Sequence, residues 1–240
     1  MRCAVRDAPP AGQSMSRRDA GFGRRRTRSR RDPGCGCRRA RESQKEGAGM
    51  IKRSDIQELF ASQLRRIKKK GVREKVIDTW MLGCERGGWD RLPELRKMPF
   101  TLLTETHGVN FIQHTIAVTE GALALAQAQQ KAYRKMPYAI DMDRLIAGGL
   151  LHDVGKLLEI EADGEGGWRK SHNGKCARHP ISGAMLAAEA GVDEETINII
   201  ACHAKEGDGR PQVVETVLIH QADFATFNPL VMKKAGTLIE

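Results

Sequence analysis

From Met50 onward, apolar residues recur at three- and four-residue spacing and rarely alternate, which points this part of the chain to helices rather than sheet. Ile56, Leu59, Phe60, Leu64 and Ile67 set the first helical stretch, with Ser54 as N-cap and Gly71 as its end. Val76, Ile77, Trp80 and Met81 predict a second helix over about 72–84, broken by Gly87-Gly88. Further helices are predicted over about 109–133, 141–151, 180–190, 194–204 and 213–227, with one more short helix closing the chain. Pro180 suits a first helical turn and Gly191 a C-terminal stop. Hydrophobic residues make up 40% of the sequence but aromatic ones only 5%, so the core is expected to be aliphatic. The predicted fold is therefore all-α, a helical bundle.

Residues 159–178 break the periodicity. Glu161 to Gly167 is acidic and glycine-rich, and Asn173-Gly174 is a turn signal. An irregular excursion, with a short hairpin, is expected there beside the functional site, in a position suited to substrate contact.

The net charge of +10 has an uneven origin. Residues 1–49 hold 14 Lys+Arg against 5 Asp+Glu, whereas residues 50–240 hold 26 against 25. The predicted division is thus a disordered Arg-rich tail over 1–49 and one folded domain over 50–240. Three readings of the tail stay open: a nucleic-acid or anionic-surface contact, an organelle-targeting peptide, or sequence upstream of a true start at Met50. Nucleic acid enters the expectations only through this tail. Three of the six cysteines lie in it and the rest are scattered, which argues against a disulfide framework and for a reducing, cytoplasmic setting. No apolar run reaches the length of about 20 residues needed to span a bilayer, so no membrane partner is expected. The oligomeric state has no signal in the sequence.

Four histidines and two aspartates form an ordered series: His114, His152-Asp153, His179, His203 and Asp223, each on a different predicted helix or at its edge. Helices packed around one centre can turn such residues inward together. An adjacent His-Asp pair after Gly-Gly-Leu-Leu has little packing rationale, and a buried carboxylate needs a partner. Four imidazoles and two carboxylates suit Fe, Mn, Zn, Co or Ni better than Mg.

The series resembles the HD-domain superfamily of metal-dependent phosphohydrolases, whose defining order of His, His-Asp and distal Asp is matched by His114, His152, Asp153 and Asp223. The stretch His152-Asp153-Val154-Gly155-Lys156 is similar to the His-Asp-Ile-Gly-Lys signature of one large branch. His179 and His203 match the further histidines of its two-metal subgroup. The resemblance covers roughly residues 108–228 and implies two divalent transition metals. One would take His114, His152, Asp153 and Asp223; the second would take Asp153 as a bridge, with His179 and His203. It further implies hydrolysis of a phosphomonoester or phosphodiester, in a nucleotide or related small metabolite, by a metal-bound hydroxide. Lys156, one turn beyond His152 and Asp153, is placed to meet developing phosphate charge, which makes Asp153 and Lys156 the expected catalytic pair. Two other classes remain: a mixed-valent di-iron oxygenase, whose ligand pattern is the same, and a non-catalytic metal- or nucleotide-sensing module.

Overall fold

The structure is a computed structural model that describes residues 50–239; the expected tail over 1–49 lies outside the described residues. In chain order the helices are α1 (Arg53–Leu59), α2 (Ala61–Leu64), α3 (Lys70–Gly87), α4 (Leu92–Leu95), α5 (Phe111–Ala132), α6 (Met142–Leu151) and α7 (Lys156–Glu159). A hairpin of β1 (Ile160–Ala162) and β2 (Trp168–Lys170) follows. Then come α8 (His172–Cys176), α9 (His179–Glu189), α10 (Glu194–Cys202), a 3-10 turn over Lys205–Gly207 and α11 (Val214–Ala235). This is an all-α bundle carrying one short hairpin. Among the described residues, no helix is long and apolar enough to cross a membrane.

The centre of the bundle is α6, which packs against α3, α5, α10 and α11. Its residues from Leu145 to Leu151 are all buried, so it is surrounded rather than amphipathic. Close approach is possible because Gly149 has no side chain: a Cβ there would lie 2.7 Å from Thr119 Oγ1 on α5. Asp141 caps α6, accepting from the amides of Asp143 and Arg144. Trp80 of α3 closes the other side. Its ring packs between Phe60 and Phe111, at 4.8 and 5.3 Å between centroids, and its indole N–H donates to Leu150 O.

Three local expectations need correction. The first predicted helix does not run from a Ser54 cap to Gly71. It begins after Lys52, whose amide donates to Asp55, and gives way at Phe60 and again after Leu64. The amides of Lys68 and Lys69 donate instead to the carboxylate of Asp143, each at 2.8 Å, so tertiary bonds claim donors that a helix would use. Gly71 lies inside α3. The hairpin turn falls at Asp163–Gly167, where Asp163 accepts from the amides of Glu165 and Gly167, while Asn173-Gly174 sits in α8. At the C-terminus, α11 continues through Pro229 to Ala235, and no separate final helix follows among the described residues. Pro229 is exposed, and it removes its own amide bond from the helix.

Candidate metal centre

Each predicted site residue is placed by a helix end or a helix face. His114 lies in the first turn of α5, fixed by reciprocal bonds between Asn110 and Gln113. His152 caps the C-terminus of α6 and His203 the C-terminus of α10. Helix C-termini leave carbonyls without amide partners. His152 Nδ1 meets Gly149 O at 2.6 Å and His203 Nδ1 meets Ile200 O at 2.9 Å, so each ring satisfies its own helix. Asp153 follows in a tight turn that leads into α7 through Gly155. A Cβ on Gly155 would lie 2.1 Å from His179 O and 2.6 Å from Gly183 N, so the glycine lets this turn touch the start of α9. That contact brings His179 beside Asp153. Asp223 projects from the middle of α11.

The six residues converge on the Asp153 carboxylate, which is 1% exposed. Its Oδ2 lies 3.3 Å from both His114 Nε2 and His152 Nε2, and its Oδ1 lies 3.2 Å from His179 Nε2 and 3.5 Å from His203 Nε2. Asp223 Oδ1 joins the first group, 3.1 Å from His114 Nε2. The donors therefore form two groups, His114-His152-Asp153-Asp223 and Asp153-His179-His203, that share one carboxylate. Lys156 Nζ stands 2.5 Å from Asp153 Oδ2 and 5.7 Å over the Phe100 ring.

The rings are held in a common sense, with Nδ1 outward and Nε2 inward. His179 Nδ1 meets Glu159 Oε2 at 2.9 Å. Thr226 spends its hydroxyl proton on Asp223 O, which leaves its oxygen to accept from His114 Nδ1 at 3.3 Å. An imidazole protonated on Nδ1 presents its Nε2 lone pair to the centre, the arrangement of a histidine metal ligand. His114 Nε2, His152 Nε2, His203 Nε2 and Asp153 Oδ1 are buried with no hydrogen-bond partner, although carboxylate oxygens lie nearby. Buried polar atoms left this way are costly. Donors about 2.0–2.2 Å from one ion sit roughly 3–3.5 Å from each other in tetrahedral or octahedral geometry. The observed separations and the orphaned atoms thus fit a divalent metal.

Electrostatics agree. Burial alone would raise the Asp153 carboxyl, but Lys156 and the flanking imidazoles of His152 and His179 hold it well below the ordinary range. Burial would likewise raise Asp223, and the close approach of the His114 imidazole, 3.1 Å from its Oδ1, outweighs it, leaving the group at about 2. Burial pushes His179 down to about 4, so its imidazole is neutral near pH 7.

All six predicted ligands and Lys156 are brought together. Three neighbours escaped the sequence reading: Glu159, Thr226, and Phe100, which stacks on His114 at 4.1 Å between centroids. Phe100 is placed by pairing outside the helices, where Phe111 N donates to Met98 O. No periodic signal marks such a residue, and Glu159 and Thr226 look in sequence like ordinary polar positions. His220 donates from Nδ1 to His203 O at 2.6 Å and so supports the backbone of His203. A cleft of about 370 Å³ opens onto the centre, reaching Lys156, His179 and Asp223. A depression of about 480 Å³ beside His172 and Asn173 includes none of the six.

Known proteins share this region. The family model described as HD domain matches residues 111–224, a span that contains every donor named above. Curated relatives include Ribonuclease Y of Pseudothermotoga lettingae, 28% identical over 170 residues, which is 70% of this chain and 27% of that protein. Ribonuclease Y of Thermotoga petrophila is 32% identical over 132 residues, covering 55% of this chain and 21% of the relative. Ribonuclease Y of Desulforudis audaxviator is 33% identical with the same coverage. The chain thus spans about a quarter of the length of these relatives. No solved structure matches.

Proposed function

We propose, from the premise that this chain belongs to the HD-domain superfamily of metal-dependent phosphohydrolases, that its cleft hydrolyses a phosphodiester of a nucleotide-containing substrate over two divalent transition-metal ions. The observation that carries the two-ion reading is the Asp153 carboxylate, with one oxygen facing His114 and His152 and the other facing His179 and His203. Held by these residues, divalent ions would supply a water acidified towards neutral pH and would offset charge on phosphoryl oxygens. The chain's own residues do the rest. Lys156 is 12% exposed, close to Asp153 and at the cleft, where its ammonium can meet charge gathering on the phosphoryl group. Phe100, stacked on His114, keeps that side of the centre apolar and dry.

The cleft lining supports the substrate class. Lys170, Arg178 and Lys205 supply cations for backbone phosphates, while Leu102, Leu103 and Phe224 supply apolar surface for a ring. Leu102 and Leu103 stand 42% and 72% exposed at this lining, adjacent apolar surface open to a ligand. The similarity to Ribonuclease Y makes single-stranded RNA the first substrate to try. Any contribution of the basic tail lies outside the described residues.

The test is release of product from bis(p-nitrophenyl) phosphate and from a short single-stranded RNA, with Mn²⁺, under anaerobic conditions. Turnover of either supports the reading. No turnover anaerobically, with oxygen uptake on the iron-loaded protein, would replace it by oxygenase chemistry. Full metal occupancy with no turnover in any of these assays would leave a sensing module.

A further inference from the structure

We infer that Glu159 is the positioning residue of the second metal site, fixing the tautomer and direction of His179 while tying it to Lys170 at the mouth of the cleft. The inference rests on the two-metal reading given above. Glu159 is the last residue of α7, and its side chain is 13% exposed. Its Oε2 accepts twice from one residue, from the His179 amide at 2.8 Å and from His179 Nδ1 at 2.9 Å. The first bond caps the N-terminus of α9, where the residue at the cap position, Arg178, contributes no side-chain bond. The second obliges Nδ1 to carry the ring proton, so Nε2 keeps its lone pair towards Asp153 Oδ1, 3.2 Å away. A carboxylate held at two points on the same residue sets both where the ring begins and how it is turned.

The other oxygen serves the substrate side. Glu159 Oε1 lies 3.2 Å from Lys170 Nζ on β2. Without that cation, a buried carboxylate beside the cleft would repel an incoming phosphate. Lys170 therefore cancels the charge that Glu159 needs for its work on His179. The backbone fixes the arrangement from both directions. Ser171 N donates to Glu159 O at 2.9 Å, and Ser171 Oγ to Leu158 O at 2.5 Å. Gly174 of α8 comes so near that a Cβ there would lie 2.7 Å from Glu159 O. The excursion over 159–178 thus clasps the backbone at Glu159, whose carboxylate joins His179 to Lys170.

The experiment titrates Mn²⁺ alone into the metal-free full chain, wild type against Glu159→Gln, Glu159→Ala and Lys170→Met. Loss of a carboxylate behind a ligand histidine weakens metal binding by about 10–100-fold. The Glu159 variants are expected to lose that much for the second equivalent only, with the first unchanged. Lys170→Met is expected to leave both equivalents unchanged and to raise KM for bis(p-nitrophenyl) phosphate severalfold with kcat held. Long-range proton–nitrogen NMR of the metal-free chain supplies a readout that needs no metal: His179 carries its proton on Nδ1 in the wild type and shifts towards Nε2 in Glu159→Ala. Equal weakening of both equivalents would reduce Glu159 to a structural residue and overturn the inference, as would an unchanged second equivalent with an unchanged tautomer. A single equivalent in the wild type would fail the two-metal reading, and the NMR arm would then decide whether Glu159 holds His179.

Discussion

Asp153 is buried beside Lys156, His152 and His179, which hold it ionised against burial, and it is the one residue common to both donor groups. Replacing it by Asn keeps the shape and removes the charge. Asp153→Asn is expected to lose both metal equivalents and to reduce kcat by about a thousandfold or more, as when a preorganised charged group is removed from a reacting centre. Retention of either equivalent at wild-type affinity, measured by metal titration, would contradict its bridging position. Lys156→Met is expected to keep the metals and lower kcat by about 10²–10³, the effect of one lost donor to developing negative charge. The titrating groups also give the metal-free protein a defined pH dependence. His179 sits at about 4 rather than 6.5, so between those values the unfolded chain binds a proton that the folded chain refuses. Stability therefore falls as pH drops through that window. Burial would raise Glu159, but its bonds to His179 hold it at about 2 rather than 4.5, which extends the loss below pH 4.5 in the same direction. Urea midpoints of the metal-free protein at about pH 7.5 and about pH 5 check this, since a single such proton is worth at most about 1.4 kcal/mol per pH unit. Equal midpoints would show that His179 is not held neutral.

At the scale of elements, the centre is assembled where helices end. His152 and His203 close α6 and α10, His179 opens α9, and the turn through Gly155 fits against that opening. Gly155→Ala forces a Cβ into the backbone of His179 and Gly183. Overpacking of this kind costs about 1–3 kcal/mol, and here it displaces Asp153 from His179 as well. The variant is expected to show a lower urea midpoint together with weaker binding of the second metal equivalent; a wild-type midpoint would mean the turn has room that the geometry denies. The long helices and the six donors were legible in the sequence because apolar period and residue type announce them. The non-helical stretch just before α3 was not, because Asp143 takes the amides of Lys68 and Lys69, bonds across 75 and 74 positions. The hairpin falls within the expected excursion, but Asn173-Gly174 does not form a turn there. Asn173-Gly174 carries a strong turn signal, but Gly174 is there to let α8 reach the Glu159 backbone. Local chemistry describes a glycine's freedom and not its neighbour.

At the scale of the whole molecule, α5, α6, α9, α10 and α11 each send one or two donors inward, and residues 111–224 that match the HD domain enclose them all. The segment before this span, α1 to α4 and the stretch after them, buries Trp80 against α5 and α6 and supplies Phe100 at the cleft. Removing it is expected to destabilise the bundle rather than only alter substrate preference, since Trp80 is fully buried and bonds to Leu150 O; circular dichroism of a chain beginning after Met98 would show lost helix and a broadened melt. A cooperative melt at the wild-type temperature would instead make that segment an accessory. The claim beneath all of these is that one carboxylate is shared by two ions. Elemental analysis of the full chain purified without added metal, beside Asp153→Asn purified the same way, tests it most directly. The expected result is two transition-metal equivalents per chain in the wild type and close to none in the variant; one equivalent or fewer in the wild type, or two in the variant, would contradict it.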